Sequence, residues 1–426
     1  MLAWQLARAA LQGVWAIGVA RLLGPGEYGL FAGFAGLATT LGALTGLGFG
    51  LLMLQTTARD PRLFPAYWSK AMAAVLGSGL VLLLVYALVA QALAGHPARV
   101  DMLLAIAVPE LICFPICIIS SYAFQAHDRM GWAGAMYALV PVGNMVALAL
   151  YGWLGTHGAL PDYLRWHVWA AVASAVLAIV AVSTKLRPAA RLPRLAPGDT
   201  ANAASYTSMR VVDTGLAAID KTIMLRVAGA ELAGQYTAAY RLAALIALPV
   251  VSLAISATPR LFRATSTPGE HARLARRLLA WGLVIGAVSI PATWCVSYLL
   301  PWLFGAAFTS AAELARLLAP LPALLGLATL GCAILMAEDR RGLRTAIQAG
   351  AIGLLLLLMP WLVNASGGLG AAIALQATYA GLTLAVWWPL LRARPALPMS
   401  APRPEPLCRP APRMRPASSR RSSPPF

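Results

Sequence analysis

The sequence predicts an all-α polytopic membrane protein, with about twelve transmembrane helices in two six-helix bundles around a central cavity. Three observations predict it. Of 426 residues, 60% are hydrophobic and 11% charged, with mean hydropathy +0.72, whereas a soluble domain holds roughly 45–50% apolar and about 25% charged residues. Apolar runs of about 20 residues, the length that crosses a bilayer's hydrocarbon, recur along almost the whole chain. The basic residues between runs are dense in every second gap.

The runs fall at 2–20, 29–54, 70–92, 102–124, 132–155, 166–184, 206–225, 235–259, 278–300, 312–337, 345–363 and 369–391. The first carries Arg8 and lacks a small-residue cleavage motif ahead of a polar domain. It reads as a spanning helix rather than a removed signal peptide. Gaps after even-numbered runs hold sixteen Lys and Arg, among them Lys70, Lys185, Arg277 and Arg344; gaps after odd-numbered runs hold four, Arg21, Arg99, Arg165 and Arg226. Cytoplasmic loops are the Lys/Arg-rich ones, so both termini are expected on the cytoplasmic side of the membrane.

This divides the chain into an N-terminal lobe (1–184), a cytoplasmic linker (185–205), a C-terminal lobe (206–391) and an Arg/Pro/Ser-rich tail (392–426) expected to be disordered. In a soluble protein a net charge of +18 would point to nucleic acid. Here topology accounts for most of it, and no nucleic-acid partner is expected. The five cysteines are too few and too scattered for a disulfide framework.

A repeat links the halves. The segment from Arg21 to Phe31 resembles that from Arg226 to Tyr236 at a constant offset of 205, pairing Arg21 with Arg226, Gly24 with Gly229 and Gly29 with Gly234. Each copy joins an odd span to the next even one, and the glycines fit a tight helix–loop–helix turn. Parallel six-helix repeats point to a transporter with a site between two lobes.

Ionisable groups inside the runs mark the candidate site. At about 100° per residue, Tyr206, Arg210, Asp213, Thr214, Asp220 and Lys221 share one stripe of the seventh span. Gln5, Arg8 and Gln12 share one on the first. Charges at that depth require an aqueous cavity or a paired network, and Asp213 stands at a pairing distance from Arg210. Glu110, Asn144, Arg241 and Gln348 are further embedded polar groups. Lys221 and Arg226 lie close enough to the membrane edge to snorkel. No nucleotide-binding loop, catalytic triad or metal-ligand spacing accompanies them, so neither an enzyme nor a metal site is expected.

Two stretches carry a family resemblance. "ARLLGPGEYGLFAGFAGLATTLGALTGLGFG" at 20–50 and "DTGLAAIDKTIMLRVAGAELAGQYTAAYRLAALIALPV" at 213–250 resemble the paired signatures of O-antigen-type polysaccharide-export flippases. These belong to the multidrug/oligosaccharidyl-lipid/polysaccharide exporter superfamily. The resemblance implies a V of two bundles around a cationic cavity. It also implies export of an undecaprenyl-diphosphate-linked oligosaccharide, with glycan-assembly proteins as partners. Arg8, Arg210, Arg241, Gln5, Gln12 and Tyr206 would line the cavity. Asp213, Asp220 or Glu110 would exchange H⁺ or Na⁺, with no other cofactor. A drug or cation antiporter of the same fold is the alternative.

Overall fold

The computed structural model describes residues 2–94, 99–154, 159–189, 198–264 and 268–392, without the side chains of 2–9, 94, 201, 202, 205, 259, 263, 264, 268 and 269. The predicted tail beyond Arg392 and linker residues 190–197 lie outside them. Every element among the described residues is helical. The first half holds α1 (Leu2–Gly42), α2 (Phe49–Arg59), α3 (Phe64–Ala94), α4 (Val100–Val108), α5 (Phe114–Ala126), α6 (Met130–Leu154) and α7 (Leu160–Lys185). The second holds α8 (Asp199–Ile246), α9 (Leu248–Ala264), α10 (Pro268–Ser297), α11 (Leu300–Phe304), α12 (Thr309–Leu317), α13 (Leu321–Ala337) and α14 (Arg341–Arg392). The start of α8 at Asp199 shortens the predicted 185–205 linker.

Three helices are hairpins. Within α1, Gly24 has φ 77° and ψ 171°, a conformation that glycine reaches without a Cβ penalty. The rings of Trp15 and Phe31 consequently lie 6.0 Å apart, where sixteen residues of straight helix would separate them by about 24 Å. Gly229 in α8 repeats the turn (φ 82°, ψ 173°). Beyond it Tyr236 Oη reaches Asp220 at 2.8 Å. α14 breaks at Ser366 and Gly367, which brings Gly370 onto the Leu362 carbonyl. The turn sits on Gly24 and Gly229 themselves. The second glycine pair of the repeat, Gly29 and Gly234, expected to belong to it, instead serves packing.

By length and composition six helices among the described residues can cross a membrane, or eight if two bent pairs each count as one span. With the hairpins divided at their turns, each of the twelve predicted runs has a helical counterpart. The surface is that of a protein in lipid. On α3, Leu80, Val81, Leu84 and Leu88 are each more than 60% exposed, and water would penalise such a row heavily. Tryptophans 153, 169, 302 and 361 are more exposed still, as expected of interfacial anchors.

Burial reveals the shape. One apolar core draws on both halves: Trp15, Tyr28 and Phe31 with Tyr151 and Tyr163, and Tyr236, Phe304 and Phe308 with Leu375. Away from the hairpin turns the core divides. Phe49, Met53, Phe64, Trp68, Phe124 and Val182 pack in the first half. Val250, Leu261, Leu278, Ile334 and Trp387 pack in the second. The halves are joined at the end that carries the three hairpin turns and part at the other, forming a V. One helix disregards the partition. At the split end the start of α8 stays with the first half: Lys70 Nζ donates to Asp199 Oδ2 at 2.7 Å, both side chains being 8% exposed, and Tyr67 Oη bonds Asp199 Oδ1 at 3.0 Å. Lys70 is thus a buried bridge rather than the loop charge the alternation implied.

Candidate functional site

The apex of the V collects aromatic and charged side chains from both halves. The hairpin turn of α8 returns Tyr236, Tyr240 and Arg241 beside Asp220 and Lys221. Lys221 Nζ stands 2.8 Å from Asp220 Oδ1, donates to the Ala217 carbonyl at 2.6 Å and lies 3.4 Å from the centre of the Tyr240 ring. Tyr236 donates to the other Asp220 oxygen. Asp220 is fully buried, so this pairing is what makes its charge tolerable. It also corrects the snorkelling expectation: Lys221 is buried and pinned, while Arg226 is exposed.

Arg241 bridges the halves. Its guanidinium is 5.4 Å from the Trp15 ring and 5.8 Å from the Tyr28 ring, both on α1 and within cation–π range. Trp15 Nε1 donates to Tyr163 Oη at 2.9 Å, and His167 stacks on Tyr163. Alongside, Thr222 Oγ1 donates to the Gly33 carbonyl at 2.8 Å, sealing the first leg of α8 onto the second leg of α1.

A second polar cluster lies on the inner wall of the second half. Arg344 Nη2 donates to both Asp213 oxygens, at 2.8 and 2.9 Å, and Gln348 Nε2 donates to Oδ1 at 2.7 Å. The three residues border a cavity of about 290 Å³ that Tyr240, Tyr379 and Cys332 also line. Asp213 therefore pairs with Arg344, not with Arg210 as its spacing allowed, and Arg344 is not a loop charge. A larger groove of about 580 Å³ runs between Leu93 of α3 and the flank of α8 and α14, bordered by Ile219, Thr222, Arg226 and Asn364.

Glu110 sits half-buried in a π-helical segment, Pro109–Cys113, between α4 and α5. Thr39 of α1 lies beside its carboxyl group. The widened turn follows from Pro109, which cannot donate to the helical ladder. Among the described residues no group of three His, Cys, Asp or Glu could hold a metal ion.

The protein-family model described as "Polysaccharide biosynthesis protein" matches residues 1–265. The chain belongs to that family. Among curated proteins no sequence matches it. Solved structures show the same fold at low identity. One is an inward-facing multidrug resistance MATE family transporter of the MOP superfamily, with TM-score 0.74 and 13% identity over 90% of this chain and 93% of that one. Another is the lipid II flippase MurJ in an inward closed conformation, with TM-score 0.68 and 10% identity over 92% and 88%. A third is a MOP superfamily transporter from Pyrococcus furiosus Vc1, with TM-score 0.59 and 13% identity over 92% and 91%. This polysaccharide biosynthesis family member is thus a multi-pass membrane protein with the MOP transporter fold.

The predicted site residues are dispersed within that fold. Arg241 reaches the apex. Gln12 is half-buried on α1, three residues before Trp15, whereas the side chains of Gln5 and Arg8 lie outside the described residues. Tyr206 sits at the split end and donates to Gln55 of α2 at 2.9 Å, about 21 Å along the helix from Asp220. Arg210 is half-buried between them. The predicted stripe therefore faces three environments, α2, α14 and the apex, and Leu216 and Ile219, which lie off the stripe, line the cavity and the groove. Sequence reasoning missed Trp15, Tyr236, Tyr240, Tyr379 and Arg344. The repeat held a signal for Tyr236, which stands at the position of Phe31.

Proposed function

We propose that the chain flips an undecaprenyl-diphosphate-linked oligosaccharide across the bacterial inner membrane, by alternating access between lobes 1–184 and 206–391. The glycan would serve O-antigen, capsule or exopolysaccharide assembly, with glycan-assembly proteins as partners. Both termini and the basic tail would be cytoplasmic, which makes the split end of the V the cytoplasmic one. The observation that carries this reading is Arg241, a cation held over Trp15 and Tyr28 where the two halves meet. An arginine there suits phosphate, and aromatic faces suit sugar rings. Family membership and the flippase and transporter folds support it. Arg8, Arg210, Gln5, Gln12 and Tyr206 would extend the path, with the polyprenyl tail left in lipid.

Exchange of H⁺ or Na⁺ would bias the two states. Glu110, in its π-helical turn, is one candidate; Asp213 and Asp220 are others, though each already holds a built-in cation, Arg344 or Lys221. The same acidic residues favour a second reading, a drug or cation antiporter.

The test replaces Arg241 and Arg210 by Ala in cells that need this gene for surface glycan. Loss of glycan at normal protein level is expected. Normal export would overturn the reading, and a fluorescent cation accumulating in cells without the gene would favour the antiporter.

A further inference from the structure

We infer that Arg344 is an anion subsite for the phosphate end of the cargo, held shut by Asp213 acting as an internal substitute for that anion. The inference rests on the flippase reading above and concerns a residue that reading does not use.

Exposure decides which partner moves. The Arg344 side chain is 12% exposed and that of Asp213 45%. The guanidinium is therefore fixed in the wall, while the carboxylate faces solvent and is free to turn away. The pair is also poorly matched. Both carboxylate oxygens converge on a single nitrogen, Nη2. Nη1 meets the Met336 thioether, at 3.3 Å, the Cys332 thiol lies beside the guanidinium, and Nε is buried without an acceptor among the described residues. A guanidinium offers five N–H donors in a planar fork, and an oxyanion that engages two of its nitrogens binds it best. Asp213 leaves most of that capacity unused, and a phosphate would employ more of it.

The surroundings fit a small anion. Gln348 Nε2 already points a second donor at the carboxylate position. The adjoining cavity of about 290 Å³ lies at the small end of ligand pockets, with room for a diphosphate rather than a glycan. Tyr240 on its wall also carries Lys221 on its ring, which connects this cluster to the apex. A phosphate arriving at Arg344 would release Asp213, so occupancy by cargo and a change in the inner wall become one event.

Binding of polyprenyl diphosphate and of inorganic diphosphate to purified protein in nanodiscs, followed by calorimetry, tests the idea. Freeing Arg344 of its competitor in D213N should tighten both by about tenfold, the equivalent of about 1.4 kcal/mol. R344A should weaken both by at least that factor, and R344K, which keeps the charge and loses the fork, should fall between. R344K also serves should R344A fail to fold. A merely structural ion pair would lower melting temperature in D213N without tightening anything. Unchanged or weaker binding in D213N overturns the proposal. If lipid diphosphate binds wild type and R344A alike, the subsite fails and the flippase reading stands. If only inorganic diphosphate shows the Arg344 dependence and the D213N gain, the subsite stands and the flippase reading fails. If neither probe binds, both readings fall.

Discussion

Gly29 and Gly234, 205 residues apart, each press against the turn of the other's hairpin. A Cβ on Gly29 would strike the Ala230 carbonyl, and one on Gly234 would strike that of Pro25. Pro25 and Ala230 are separated by the same 205 residues, so the contact is its own image about an approximate two-fold axis. The repeat is thus not only a record of two similar halves: its two copies meet at the joint of the V.

This contact tolerates no side chain. Alanine at either glycine sets a methyl group against backbone, which cannot swing aside as a side chain does. We expect G29A and G234A each to cost about 1–3 kcal/mol, the range for overpacking a closed site. Gly350 is helical with open space where a Cβ would stand, and G350A should be neutral or stabilise by up to about 1 kcal/mol. Thermal denaturation in detergent would compare the three, and a harmless G29A would refute the argument.

The Asp220–Lys221 pair should behave as a buried unit. D220N leaves an ammonium uncompensated and is expected to cost about 3–5 kcal/mol. Adding K221M should recover most of that loss. A double-mutant cycle reads the coupling, and additive losses would mean that the two side chains act independently.

Lys70 and Asp199 fasten the start of α8 to the first half. K70M should raise hydrogen exchange over residues 199–207 and leave the apex, around 233–243, protected. Equal loosening at both places would show that the bridge is not a local clasp.

The orientation is open to labelling. With cysteines introduced singly into a cysteine-free background, a membrane-impermeant maleimide should reach R99C from outside intact cells and R277C only after permeabilisation. The reverse pattern would invert the topology and, with it, the side to which the V opens.

The fold was largely legible in the sequence because hydropathy and the placement of Arg and Lys respond to the bilayer, which acts on every span alike. The repeat was legible because Gly24 and Gly229 need a backbone conformation that favours glycine. The site was less so. Periodicity placed Tyr206, Asp213 and Asp220 on one stripe, but the stripe says nothing about which neighbour each residue meets, and the neighbours are Gln55, Arg344 and Tyr236. Arg344 was hidden for a different reason. A basic residue at the foot of a span looks like a topogenic charge until the tertiary structure turns it inward. Trp15 and Tyr240 drew no notice because an aromatic side chain in an apolar run is unremarkable until a cation is seen above it.

The hairpin turns have a practical consequence. At Gly24 and Gly229 a single residue reverses the chain, and at Ser366–Gly367 two do so. There is almost no polypeptide at these three points for an antibody to grip or a protease to cut. An epitope tag or reporter inserted at any of them would pry apart neighbouring legs. Genetic handles belong on the opposite face, where the halves already stand apart.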